Sequence, residues 1–342
     1  MILNPSKYLF IMTLILGTLI SISSTSWLSV WVGLEINLLS FIPLIAQGEN
    51  SLSTEASLKY FLIQALASSI LLFSFILMQL TTTMNLLVYQ ELFIFLLISS
   101  LLLKMGAAPF HFWFPGTMEG LNWFNNMLLM TWQKIAPLML LSYLIKFNMF
   151  TSMIILCSII TGSLGGLNQT SLRKLMAYSS INHLGWMIGG MLVGENMWLL
   201  YFLIYTILSL SVVLIFHSFQ ISYISQNYMI LAPHPSLKFF LYTLLLSLGG
   251  LPPFLGFAPK WLIIQTLINA NQILLISIMV ITTLVTLFYY IRLTFSAFLL
   301  NPANLKWNLI NPYSKIPLIT TSMMTIISTT GLLFMMIIWS SN

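Results

Sequence analysis

Apolar stretches long enough to cross a lipid bilayer follow one another along almost the whole chain, separated only by short polar or Pro/Gly segments. They run approximately over residues 8–24, 27–46, 58–80, 91–108, 122–146, 150–168, 174–193, 197–222, 237–268, 273–299 and 316–339. A hydrocarbon core about 30 Å thick asks for about 20 apolar residues per helix, with a lower limit near 17. The pattern therefore predicts an all-α polytopic membrane protein with about eleven transmembrane helices, a single membrane domain over 1–342, and no connection long enough to fold into a soluble domain. Only 5% of the residues are charged, where a soluble domain carries roughly 25%, so an aqueous fold is excluded.

That composition also removes several functions. Nothing between the apolar stretches could enclose a dinucleotide or a flavin. The net charge of +6 is spread over 342 residues instead of gathering into a patch, which argues against nucleic acid as a partner. Cys157 is the single cysteine, so an intrachain disulfide, a thiolate-held iron–sulfur cluster and a cysteine-based zinc site are ruled out. Its expected place is that of a small buried apolar residue. The segment from Met1 to Lys7 lacks the features of a transit or cleavable signal peptide, and the run from Tyr8 reads as a spanning helix of the mature protein.

With eleven crossings the connections alternate between faces. Lys7, Lys59, Arg173, Lys174, Lys238, Lys306 and Lys315 then fall on the side of the N-terminus, and only Lys146 lies in a connection on the other. The positive-inside rule places the N-terminus in the cytoplasm or mitochondrial matrix and the C-terminus opposite. Two helices are interrupted alike, the fourth at Lys104-Met105-Gly106-Ala107-Ala108-Pro109 and the ninth at Gly249-Gly250-Leu251-Pro252-Pro253, followed by Gly256, Pro259 and Lys260. Backbone freed by Gly and Pro inside a bilayer must be satisfied by protein or trapped water, and paired broken helices point to a transport path. The breaks lie five helices apart, an odd number, so helices 1–5 (1–148) and 6–10 (149–300) are expected to be two inverted repeats, with a loop and C-terminal helix over 301–342.

A few ionisable residues sit where a bilayer penalises them by at least about 2.5–3.5 kcal/mol, and such residues by default face the interior and serve ion or proton pathways. They are Glu35, Lys104, Lys134 and Lys260. Glu35 lies roughly 12 Å from either end of the second helix, too deep to snorkel, and pairs in this reading with Lys104. The pair is either a switch in which the lysine changes protonation or a static brace between helices. Lysine suits the first role because a buried ammonium releases its proton readily and a neighbouring carboxylate favours its charged form. Lys104, Lys134 and Lys260 could together form a lateral chain of titratable stations.

His183 lies centrally in the seventh helix within Ala177-Tyr178-Ser179-Ser180-Ile181-Asn182-His183. It reads either as a relay beside a short water file or as a plain interhelical hydrogen bond. His111 is expected at the interface among its aromatic neighbours, and His217 and His234 at polar helix ends. No histidine pair is placed to ligate haem, and no metal site is expected. Arg292, beside Tyr289 and Tyr290, can snorkel. Glu55, Glu91, Glu119 and Glu195 lie at or near helix ends, in solvated or interfacial positions.

The segments Trp31-Val32-Gly33-Leu34-Glu35-Ile36-Asn37, Lys104-Met105-Gly106-Ala107-Ala108-Pro109-Phe110-His111-Phe112-Trp113, Trp132-Gln133-Lys134-Ile135-Ala136-Pro137 and Gly249-Gly250-Leu251-Pro252-Pro253-Phe254-Leu255-Gly256-Phe257-Ala258-Pro259-Lys260-Trp261 carry a family resemblance over essentially the whole length. The chain resembles the antiporter-like membrane-arm subunits of respiratory complex I, in the animal chain 2 family of mitochondrial NADH–ubiquinone oxidoreductase, which lacks the first three helices of bacterial relatives. The resemblance implies a proton-translocating core subunit of the inner mitochondrial membrane, with its N-terminus in the matrix and its C-terminus in the intermembrane space. It implies other membrane-arm subunits, neighbouring antiporter-like ones among them, and membrane lipids as partners. NADH, FMN, iron–sulfur clusters and ubiquinone would be handled by partner subunits, leaving this chain without a cofactor. In the family, Glu35 and Lys104 match the glutamate–lysine pair, Lys134 the linking lysine, Lys260 the lysine of the second broken helix, and His183 a histidine in a Tyr-Ser-Ser context. An autonomous cation/proton antiporter and a purely structural membrane subunit are the competing functions.

Overall fold

Backbone N–H and C=O groups have no water to turn to inside lipid, and a helix satisfies them within one segment. The computed structural model describes residues 5–46, 50–83, 90–230, 235–299 and 315–340. Among the described residues the chain is helical, apart from turns and an isolated antiparallel bridge between Ser171 and Tyr223. His234 and Lys306 lie outside the described residues.

The chain divides into two compact units, Met1–Thr151 and Ser152–Asn342. The first contains α1 (Pro5–Ser23), α2 (Trp27–Ile45), α3 (Ser51–Thr83), α4 (Gln90–Met105), α5 (Trp113–Gly120), α6 (Trp123–Met130) and α7 (Trp132–Leu144). α8 (Met149–Gly165) begins at its end and runs into the second, which holds α9 (Leu172–Met191), α10 (Glu195–Phe219), α11 (Ile224–Ile230), α12 (Pro235–Gly249), α13 (Phe257–Asn269), α14 (Ile273–Leu299) and α15 (Lys315–Ser340). Six segments of the described residues are long and apolar enough to cross a membrane: Pro5–Ser23, Trp27–Ile45, Ser51–Thr81, Trp123–Leu144, Glu195–Phe219 and Ile273–Phe298.

Small residues let helices approach closely where lipid offers no hydrophobic drive for association. α1 packs on α2 backbone to backbone, and a Cβ added at Gly33 would lie 2.6 Å from the Ser21 amide nitrogen. α3 then packs along α2, α4 and α5, and α7 against α4. In the second unit α10 packs against α9, α12, α13 and α15. Almost every residue of α9 from Leu175 to Met191 is buried, which makes this helix an axis of its unit instead of a lipid-facing wall.

Three expectations need correction. The stretch at 58–80 belongs to a longer helix that starts at Ser51 and takes in the exposed ion pair of Glu55 and Lys59, one turn apart at 2.5 Å. The stretch at 122–146 is not one helix. It breaks at Thr131, whose φ of −112° and ψ of −70° separate α6 from α7. Cys157 is exposed, not buried, since it lies on a face of α8 away from its packing partners. His111 packs within the protein, where the chain folds back after Pro109.

Candidate functional site

Each of the three buried lysines stands beside a helix break. At the first, α4 ends and Gly106 adopts φ +73°, while at the second α12 ends and Gly250 adopts φ +86°. Only glycine enters this left-handed region without steric cost, and both breaks use it in the same way. The amide of Gly106 donates to Leu102 O at 3.0 Å and that of Ala107 to the same carbonyl at 3.1 Å; the amides of Gly250 and Leu251 do likewise to Leu246 O at 3.1 and 3.4 Å. Each is a glycine-capped helix end that recovers carbonyls the helix leaves open. The spacing Gly-x-x-Pro-Phe-x-x-aromatic-x-Pro recurs as Gly106, Pro109, Phe110, Trp113, Pro115 and as Gly250, Pro253, Phe254, Phe257, Pro259. The third break, at Thr131, precedes Lys134 by less than a turn. Pro137 within α7 lacks an N–H and frees the carbonyl one turn before it.

Side chains take up what the breaks release. Trp113 Nε1 donates to Leu103 O at 3.1 Å and Gln64 Nε2 to Lys104 O at 3.1 Å. In the second unit the Lys260 ammonium itself donates to Gly249 O at 2.8 Å. Its position depends on Gly250, where a Cβ would lie 2.8 Å from Lys260 Nζ.

In the first unit Lys104 and Lys134 come together. They are 7% and 1% exposed, and both line an internal cavity of about 20 Å³ together with Asn37, Tyr60, Gln64 and Gln133. A cavity holds a water molecule once it exceeds about 10–15 Å³ and offers two to four polar partners, and this one meets both conditions. Gln133 Nε2 donates to Asn37 Oδ1 at 2.9 Å, and Tyr60 OH donates to Gln133 Oε1 at 3.4 Å, so a polar network spans α2, α3 and α7 along the cavity. Lys134 Nζ lies 5.2 Å from the centre of the Phe114 ring, a cation–π contact from the folded-back segment.

Glu35 is half-buried on α2. It makes no direct ion pair with Lys104. In the second unit Lys260 is 5% exposed, and His183 on α9 meets Tyr201 on α10, Nδ1 to hydroxyl oxygen 2.7 Å. Arg292 Nη2 donates to Leu167 O at 2.5 Å, so it ties α14 to the end of α8 and does not merely snorkel. Glu91 and Glu195 sit in the first turns of α4 and α10, where a carboxylate complements the helix dipole, and Glu119 is half-buried in α5.

Asn37, Tyr60, Gln64 and Gln133 line the chamber and were not picked out as site residues from the sequence. Asn37 follows Glu35 by two residues and Gln133 precedes Lys134 by one, so an uncharged polar residue beside an intramembrane charge is the signal that finds them. Tyr60 and Gln64, far from any charge in sequence, carry no such mark. The arrangement presents two amine groups and a hydrogen-bonded amide network around space for one water, which is the equipment to pass protons between buried amines.

Comparisons with known proteins fit this geometry. Residues 24–286 match the family model described as NADH:quinone oxidoreductase/Mrp antiporter, transmembrane. A protein of Aedes aegypti named NADH-ubiquinone oxidoreductase chain 2 is 55% identical over 335 residues, 98% of each chain, and one of the same name from Anopheles gambiae is 55% identical over 311 residues, 91% of each. A chain in the structure of respiratory complex I from Thermus thermophilus with bound aureothin superposes with a TM-score of 0.83 at 25% identity, covering 96% of this chain and 78% of that one.

Proposed function

The chain belongs to the NADH:quinone oxidoreductase/Mrp antiporter transmembrane family, among the NADH-ubiquinone oxidoreductase chain 2 proteins, and from that premise we propose that it is a proton-translocating core subunit of the membrane arm of respiratory NADH:ubiquinone oxidoreductase. It moves protons from matrix to intermembrane space, coupled to quinone reduction in other subunits. NADH, FMN, iron–sulfur clusters and ubiquinone belong to those partners, and this chain carries the proton path alone. It sits in the mitochondrial inner membrane against neighbouring antiporter-like subunits and lipid, N-terminus in the matrix, crossing about eleven times.

The observation that carries this reading is the chamber shared by Lys104 and Lys134, two almost wholly buried amines around space for one water. A structural brace would pair each ammonium with a carboxylate, because an uncompensated buried charge costs several kcal/mol. Lys104 has no such direct pair, and Lys260 is held by a backbone carbonyl. In this scheme Glu35 modulates Lys104, Lys134 links it onward, Lys260 is the station of the second repeat and His183 a relay between stations. The inverted-repeat reading of 1–148 and 149–300, with 301–342 appended, is supported by the recurring glycine-capped break and its shared spacing.

The test is the number of protons pumped per electron by the assembled oxidoreductase in liposomes, native against Lys134→Met and Lys260→Met. A lower ratio, or a collapse of coupled turnover at native assembly, is expected. An unchanged ratio in both variants would leave the lysines as structural residues and overturn the proposal.

A further inference from the structure

The second unit is electrically one-sided. Glu195 is the single acidic side chain in its sequence, and it opens α10, whose 25 residues carry the chain about 37 Å away. At that far end lies an open cleft of about 650 Å³ lined by Leu167, Ile224, Tyr228, Arg292, Leu293 and Ser296, among others. Its floor is tied together by the bridge between Ser171 and Tyr223, with Leu172 N donating to Ser222 O at 2.9 Å and Ile224 N to Thr170 O at 3.2 Å. Arg173 and Lys174 follow directly in the first turn of α9, where the helix dipole disfavours cations. Lys238, in the first turn of α12, has its Nζ 5.5 Å from the centre of the Phe298 ring near the end of α14. Cations therefore collect at the end of the unit that no carboxylate of its own serves.

Arg292 stands where lipid would otherwise be expected. Ile281, Leu284, Phe288 and Phe295, spaced along one face of α14, are each more than half exposed, and Arg292, four residues after Phe288 and three before Phe295, is exposed on that same face. It is the one charged residue of the helix. The 27 residues of α14 span about 40 Å, longer than a hydrocarbon core of about 30 Å. Arg292 lies seven residues before Leu299, so its Cα sits about 5 Å inside the core edge and its long side chain reaches the depth of lipid phosphates. Phe295, Phe298 and Tyr223, all exposed, are the aromatic residues that favour this depth.

We infer that this cleft is a binding site for the phosphodiester headgroup of an anionic phospholipid. Arg292 commits Nη2 to Leu167 O at 2.5 Å, which fixes the guanidinium at the cleft wall and leaves further N–H donors of its fork for phosphate oxygens. Tyr228 and Ser296, hydrogen-bonded to each other, set hydroxyls beside it. Leu167, Ile224 and Leu293 meet the glycerol and the first acyl carbons. Arg173 and Lys174 add long-range attraction, and a bound anion offsets the cost of their place at the start of α9. A lipid fits better than a soluble anion or an acidic protein segment, because Arg292 interrupts a lipid-facing apolar stripe at headgroup depth and the cleft pairs its cation with apolar walls.

The experiment places the assembled oxidoreductase in phosphatidylcholine liposomes that contain a small fraction of either phosphatidylglycerol or phosphatidylcholine, each with the same photoactivatable group near the headgroup, and maps the crosslinked peptides. Residues 223–228 and 292–296 are expected to be labelled about tenfold more by phosphatidylglycerol, the effect of one hydrogen bond to a charged group. Ser225 is an exposed residue of the cleft wall. Ser225→Glu sets a negative charge there and should bring labelling down to the phosphatidylcholine level, while Ser225→Gln, its neutral match, should keep it. Arg292→Gln should lose the preference as well; it also loses the bond to Leu167, so the Ser225 pair decides if that variant does not assemble. Equal labelling by the two lipids, or a preference that Ser225→Glu leaves intact, would overturn the site. Modification of Arg292 by phenylglyoxal that inorganic phosphate slows, without lipid crosslinks, would assign the cleft to a soluble anion and overturn the lipid. A cleft that neither lipid nor phenylglyoxal reaches in the assembled complex would mean that a protein segment covers it, with the same consequence.

Discussion

Replacing Gly250 by alanine isolates the contact between the second break and its lysine. At φ +86° an L-residue costs about 1–2 kcal/mol of backbone strain. The added Cβ would stand 2.8 Å from Lys260 Nζ and 3.1 Å from its Cδ, too close for either atom to stay. The lysine stem is flexible and the backbone is not, so the side chain yields and its 2.8 Å bond to Gly249 O is lost. A hydrogen bond from a charged donor contributes about 1.5–3 kcal/mol, which lowers the population of the carbonyl-bound ammonium by about ten- to a hundredfold. Gly116→Ala is the matched control, because a Cβ there meets nothing within 4 Å and a helical alanine is neutral or slightly stabilising. The assay pairs the thermal midpoint of the assembled complex with protons pumped per electron in liposomes. Gly250→Ala is expected to lower both and Gly116→Ala neither. A Gly250→Ala complex that assembles, melts and pumps like the control would refute the link between the glycine and the position of Lys260.

Other changes separate the packing frame from the chamber. Asn37→Leu removes the acceptor of Gln133 Nε2 and leaves a buried amide donor open, so the complex is expected to lose about 1–3 kcal/mol of stability, read as a lower thermal midpoint; an unchanged midpoint would show that the network carries little. Gly33→Ala sets a methyl 2.6 Å from the Ser21 amide nitrogen, where only backbone can move, and separating α1 from α2 at a cost of about 1–3 kcal/mol should reduce the amount of assembled complex on a native gel. Glu55→Gln breaks the exposed ion pair with Lys59. Such pairs contribute about 0–1 kcal/mol, so stability and pumping are expected to stay native, and a large loss would mean that this end of α3 is covered in the assembly.

The membrane class and most helix positions were legible in the sequence because a bilayer filters by length and polarity, both local properties. The runs around α1, α2, α8, α10 and α14 needed only counting. The breaks at Gly106 and Gly250 were legible as well, since glycine and proline change the backbone wherever they occur. The break at Thr131 was missed because Pro137, which signals it, lies a turn and a half downstream and is tolerated inside other helices such as α2, at Pro43. α3 runs past its apolar stretch through Glu55 and Lys59, because an exposed charged turn is compatible with a helix and hydropathy does not record where a helix begins.

By itself the sequence singled out the charges set within long apolar runs: Glu35, Lys104, Lys134 and Lys260 have no polar flank within snorkelling reach, and burial cost follows from position along a helix. Tertiary structure alone decided what those charges meet. That Lys104 and Lys134, thirty residues apart, line one chamber while Glu35 makes no ion pair with Lys104 depends on how α4 and α7 pack. So does the fact that Lys260 turns back to its own break, and that Tyr201 on α10 meets His183 on α9. Each is a matter of ångströms between non-adjacent segments, set by the glycine contacts and side-chain shapes that bring helices together, and hydropathy carries no record of those distances.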